Sequence, residues 1–200
     1  MTCRAPRIHT VVATLYAAIL TIPLLPAGAA VPDSVIDAPA DAATLDRLFA
    51  ELARPGEDEG WRRAESDILR LWSRSGSAVL DLLHQRGQAA LDEGDPVTAI
   101  GHLTALTDQA PDYAPGFVDR AAAFAARGDY GPAAADLARA LQLEPRQFIA
   151  LTQLGTMLED MGDLPRARDA FRASLAIHPH QPEAQDAVTR LDQALRGVDA

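Results

Sequence analysis

The sequence predicts an all-α chain, an α-solenoid of three helix-turn-helix repeats flanked by an N-terminal helical hairpin and a C-terminal capping helix. Three recurrences at a spacing of 34 residues carry this reading. A Gly-Asp pair returns as Gly94-Asp95, Gly128-Asp129 and Gly162-Asp163, and a proline returns as Pro111, Pro145 and Pro179. Small and bulky apolar residues keep the same step: Ala99, Ala133 and Ala167, then Leu103, Leu137 and Phe171. A fixed period of this length is the signature of a stacked-repeat architecture, in which each unit buries its apolar face only against its neighbours.

The units are 80–113, 114–147 and 148–181, each read as helix A, a tight turn, helix B and a linker. Gly87, Ala121 and Gly155 on helix A, with the alanines on helix B, allow close approach of the two helices. Leu83, Phe117 and Leu151 join Leu103, Leu137 and Phe171 in filling the space between. Gly94, Gly128 and Gly162 suit the left-handed conformation that ends a helix. The aspartate after each glycine can cap helix B, and each later proline marks where helix B stops. Arg120 and Asp136 fall at positions 7 and 23 of the second unit, which face each other in the repeat family this unit resembles, so a salt bridge between them is what that resemblance implies.

The ends of the array need covers. Pro182–Leu195 fits a capping helix (182–195), with Ala184, Val188, Leu191 and Leu195 on one face. On the other side, 44–77 reads as a helical hairpin without the repeat's landmarks. Its stripes are Leu45, Leu48, Phe49 and Leu52, then Trp61, Ile68, Leu69, Leu71 and Trp72. Arg54 through Asp58 forms the turn, and Glu57-Asp58-Glu59 suits a helix N-terminus. The hairpin is expected to be a degenerate unit covering the open face of the first repeat. Ser75-Gly76-Ser77 breaks the chain before the array.

Residues 1–29 read as a secretory signal peptide. Arg4 and Arg7 precede an apolar run over Val11–Leu25, and Ala27-Gly28-Ala29 supplies the small residues at the cut. The run and Pro23 argue against a stable spanning helix, which needs about 20 apolar residues. An uncleaved N-terminal anchor is the alternative. Cys3, the single cysteine, lies ahead of the run and is lost with it. Residues 30–43, rich in Pro, Ala and Asp, are expected to be a flexible tether. The localisation expected is periplasmic or secreted.

Charge narrows the partners. The formal net charge is −10, and loss of Arg4 and Arg7 makes it −12. A nucleic-acid binder shows a basic face, and this chain has none. Binding to an anionic membrane surface is disfavoured on the same ground. No catalytic constellation gathers: the mature chain has no thiol, no serine in a Gly-x-Ser-x-Gly turn and no phosphate loop. His178 and His180 flank Pro179, but two ligands alone make a weak metal site, and exposed turn residues are the expectation. The chain is therefore not expected to be an enzyme, and no cofactor or metal is expected.

The landmarks and the length of the unit resemble the tetratricopeptide repeat. A finer resemblance, to small exported proteins of this class from alphaproteobacteria, runs through Ser75-Gly76-Ser77, Leu103-Thr104-Ala105-Leu106 and the Arg-Ala-x-x-Phe of Arg120–Phe124. The resemblance implies a concave groove lined by positions 2, 5, 9, 12 and 13 of each helix A. These are Asp81, His84, Gln88, Leu91 and Asp92 in the first unit. The second supplies Pro115, Val118, Ala122, Ala125 and Ala126, and the third Ile149, Thr152, Thr156, Glu159 and Asp160. The Lys, Asn and Arg with which one subclass grips a peptide's terminal carboxylate are missing there. What the resemblance implies is protein–protein interaction, an adaptor or scaffold in the cell envelope whose groove takes an apolar or basic peptide segment. Three other readings stay open: a structural subunit of an envelope assembly, a metal-dependent or hydrolytic site, and a groove filled by a helix of the chain's own.

Overall fold

The computed structural model describes residues 38–54 and 60–198, and the signal peptide expected over 1–29 lies outside them. Among the described residues there are nine α-helices and no strand. The hairpin is α1 (Ala38–Leu52) and α2 (Gly60–Trp72); the repeats are α3 (Ala78–Asp92) with α4 (Pro96–Gln109), α5 (Ala114–Ala126) with α6 (Tyr130–Leu143), and α7 (Phe148–Asp160) with α8 (Leu164–Ile177). The last helix, α9, spans Pro182–Val198 and carries the expected cap three residues further than its apolar stripe.

The landmarks have the physical roles their spacing implied, except at Asp129. Gly94, Gly128 and Gly162 have φ of 72°, 80° and 79°, the left-handed region closed to most side chains. The B helices end two residues before Pro111, Pro145 and Pro179. Asp95 and Asp163 cap α4 and α8 by accepting the backbone N–H of Thr98 and Arg166. Asp129 makes no such side-chain cap, because its carboxylate pairs with Arg127 at 2.7 Å. Close packing sets the small residues: a Cβ on Gly87 would stand 2.5 Å from Leu103 Cγ, and one on Gly155 would stand 2.9 Å from the Phe171 ring. Neither neighbour has room to retreat, since Leu103 and Phe171 are buried.

Two expectations need correction here. The span 30–43 is not tether throughout, because α1 begins at Ala38; Ala38-Pro39 gives the helix its first turn, where proline is tolerated, and alanine favours its continuation. The hairpin does not cover the open face of the first repeat. Its buried residues Phe49, Leu52, Ala64 and Ile68 pack with Phe148 of α7, with Ile149 and Ile177 at the margin. Trp72 lies 5.4 Å from Phe148, and Trp61 stacks on His180 at 4.6 Å and 9°. Helix α2 thus runs past the loops that join successive repeats, from His180 to Tyr113, whose hydroxyl donates to the Trp72 carbonyl at 2.8 Å.

The reason lies in the first repeat's outer face. Gly116 and Ala150 are buried where one repeat meets the next, and a Cβ on Gly116 would stand 3.0 Å from Leu106. The matching residue of the first unit is Leu82, too large for that approach and 46% exposed; Val79 beside it is 64% exposed. The hairpin's aromatic face finds a larger apolar partner at Phe148. The turn 55–59, including Glu57-Asp58-Glu59, lies outside the described residues.

Candidate functional site: a groove walled by the A helices and the hairpin

Helices α3, α5 and α7 share one side of the array, and two cavities open along it. The first, about 290 Å³, is lined by His84 and Gln88 of α3, Pro115, Val118 and Asp119 of α5, Gln147 and Ile149 near the start of α7, and Leu69, Trp72 and Ser73 from the hairpin. The second, about 170 Å³, is lined by Ala121, Ala122 and Ala125 of α5, Leu137 of α6, and Thr152, Gln153, Thr156, Met157 and Asp160 of α7. Ten of the expected groove residues line one or the other: His84, Gln88, Pro115, Val118 and Ile149 in the first, and Ala122, Ala125, Thr152, Thr156 and Asp160 in the second.

The other expected positions have different roles. Asp81 receives the Ser75 hydroxyl and backbone N–H, which hold its carboxyl below the usual carboxylate range. Leu91 packs against the core of the first repeat. Glu159 is held bidentately by Arg190 of α9 at 2.8–3.0 Å. Asp92 is exposed at the end of α3, outside both cavities. The family resemblance points to the A-helix side of the groove. It missed Leu69, Trp72 and Ser73, because a hairpin without the repeat's register gives no positional rule for where it docks. The one signal was chemical: both tryptophans of the chain lie on α2, and rings of that size seek burial.

A polar chain crosses the first cavity. His84 is 4% exposed; its Nε2 is 2.7 Å from Asp119 Oδ2, which also accepts from Gln88 Nε2 at 2.9 Å. His84 Nδ1 is 3.0 Å from the Tyr113 hydroxyl. Burial pushes the Tyr113 phenol well above its ordinary value, with Asp81 and Asp119 adding to the effect, so it stays protonated and keeps its bond to Trp72. Thr152 is turned to internal use, touching the Phe148 carbonyl, Ser174 Oγ and Gln181.

Among the described residues, no group of three or more His, Cys, Asp or Glu side chains is placed to hold a metal ion. The expectation that His178 and His180 are exposed turn residues is corrected. His178 is 1% exposed with Nε2 3.2 Å from Glu65 Oε1, and His180 is half-buried under Trp61, its Nε2–H donating to the Arg54 carbonyl at 2.9 Å. Both are buried because the hairpin comes down on the last inter-repeat loop. No helix among the described residues is long and apolar enough to cross a membrane.

A TPR repeat-containing protein of Rhizobium etli is 31% identical over 153 residues, 76% of this chain and 75% of its own. The chain belongs to the tetratricopeptide-repeat (TPR) proteins. No family model matches it. The SGT1 homolog of Bos taurus is 29% identical over 108 residues, covering 54% of this chain and 32% of that protein. Solved structures share the TPR fold at lower identity. The Sgt2 TPR domain of Aspergillus fumigatus superposes with a TM-score of 0.58 at 23% identity, over 62% of this chain and 83% of its own. The first TPR domain of Spaghetti (RPAP3), solved with the HSP90 peptide SRMEEVD, gives 0.56 at 22%, over 58% and 93%.

Proposed function

We propose that this TPR protein is an exported adaptor or scaffold of the cell envelope, of the small alphaproteobacterial type, that holds an apolar or basic segment of a protein partner in its concave groove. The observation that supports it most is the strip Val118, Ala122 and Ala125. Small apolar residues floor two adjoining cavities there, and carboxylates stand nearby at Asp119 and Asp160. A groove of this chemistry takes an extended or amphipathic segment through apolar anchors and favours basic flanks. The RPAP3 domain holds the acidic peptide SRMEEVD. The groove positions here offer no Lys, Asn or Arg, so the preference proposed is of opposite sign.

The test is co-purification from envelope extract, followed by titration of the recovered partner segment at rising salt. Binding is expected to weaken as salt screens the acidic groove, and less so in an Asp119→Asn, Asp160→Asn double variant. Affinity indifferent to salt and to both changes would remove the basic preference. A second reading, a structural subunit of an envelope assembly, is favoured by the uncovered apolar residues Val79 and Leu82 at the first repeat.

Export rests on the sequence of residues 1–29 alone. Mass spectrometry of protein from the native cell is expected to find a chain beginning at Ala30, with cleavage one bond later as the main competitor. An intact N-terminus on soluble cytoplasmic protein would contradict export.

A further inference from the structure

We propose that the α1–α2 hairpin is an acid-released wall of the groove, with His178 as its trigger. Helix α2 is tied to the array near both of its ends, with histidines at both, while α1 is held separately by Asp46 to Arg146 at 2.6 Å. At the α2 start, His178 and His180 meet Trp61 and Glu65; at its end, His84 reaches the Trp72 carbonyl through Tyr113.

His178 is the member with nowhere to put a second proton. Its ring lies between Trp61, 5.9 Å away, and the edge of Phe148, 4.9 Å away. The neutral ring with its proton on Nε2 donates to Glu65. Nδ1 is buried and has no hydrogen-bond partner. Protonation would add a charge and an N–H with no acceptor inside an apolar cluster, an arrangement that buried polar groups avoid. The charged or titratable groups around it are few. Glu65 on α2 faces it directly, and Arg62 lies 5.0 Å over the ring of Trp61. His180 on the loop is 6.2 Å away, ring to ring; α7 contributes Phe148, which carries no charge.

Burial holds the docked His178 ring below the ordinary histidine value, with Glu65 opposing the effect and His180 adding to it. Once the hairpin lifts, the ring returns to water and to its ordinary value of about 6.5. The open state therefore binds the proton more readily. Docking is at full strength above that value and weakens as pH falls below it. The far end of α2 is tied separately through Tyr113, so release begins at Trp61. Its consequence for partner binding rests on the groove reading above; the release itself is measured without a partner.

Both tryptophans of the chain are on α2, so fluorescence reports the hairpin alone. Trp72→Phe leaves Trp61 as the single reporter in the full mature chain. Its emission is expected to shift to the red as pH falls below about 6.5 while far-UV circular dichroism keeps its helical signal. With His178→Phe, which keeps an aromatic ring that cannot titrate, the emission is expected to stay blue and flat. Glu65→Gln removes the charge that stabilises the protonated ring in the docked state, so the shift is expected to move to higher pH. No shift in the parent, a shift that tracks loss of helix, the same shift in His178→Phe, or one unmoved by Glu65→Gln would each overturn the proposal.

Discussion

Removing Asp136 alone is expected to destabilise the array by about 3–5 kcal/mol, the largest single-residue loss foreseen here. Asp136 and Arg120 join α6 to α5 within the middle repeat. The guanidinium donates twice, Nε to Oδ2 at 2.7 Å and Nη2 to Oδ1 at 2.8 Å, and Nη1 donates to Thr107 Oγ1 of the preceding repeat at 2.6 Å. The side chains are only 16% and 9% exposed, and the guanidinium also lies 5.5 Å from the Phe117 ring. The bond to Asp136 is the main reason the Arg120 pKa is raised. Asp136→Ala leaves the cation part-buried without its bonded counter-charge and with only Asp108 acting on it, the costly half of a buried pair. Arg120→Met with Asp136→Leu removes both charges and keeps apolar volume, so the double variant should lose less than Asp136→Ala. Urea unfolding of the two singles and the double forms a cycle that reads the coupling directly. Additive losses would mean that the two side chains do not act as a pair.

That contact was legible in the sequence because it is local to one repeat. Positions 7 and 23 of a 34-residue unit face each other wherever the unit folds, and Arg120 with Asp136 fills them with opposite charges. The three units, the left-handed glycines and the prolines beyond each helix B follow from the same short-range rule, and the A-helix side of the groove from the family resemblance. The hairpin does not. Trp61 meets His180 and Trp72 meets Phe148 across long stretches of chain, and no period relates them. A solenoid's ends are expected to be covered, so the hairpin was assigned to the open end. Leu82 argues against that, since a leucine stands where Gly116 and Ala150 permit contact, but its meaning emerges only when the three units are compared position by position. His178 was misread for a related reason. The matching residues of the earlier units are Ala110 and Glu144 at a turn, neither of them an aromatic ring, and the arrival of Trp61 and Glu65 completes the burial of the third.

The central claim is that the groove floored by α5 holds the partner, and Ala122→Arg tests it most directly. Ala122 lines the second cavity beside Ala125, Thr156 and Asp160 and is half-buried. Its neighbours Ala121 and Ala133, at 1% and 0% exposure, carry the packing between helices. An arginine at 122 fills the cavity and sets a cation against basic flanks without disturbing that packing. Stability should change by no more than about 1 kcal/mol, as at other positions outside the core. Affinity should fall by about 2 kcal/mol or more, the scale of a central contact. The measurement is a titration of the co-purified partner segment against parent and Ala122→Arg protein, with a melting curve for each. Lost binding with a normal melt is the predicted result. Retained affinity with a normal melt would contradict it, and would move the interface to the convex side or to the outer face of the hairpin.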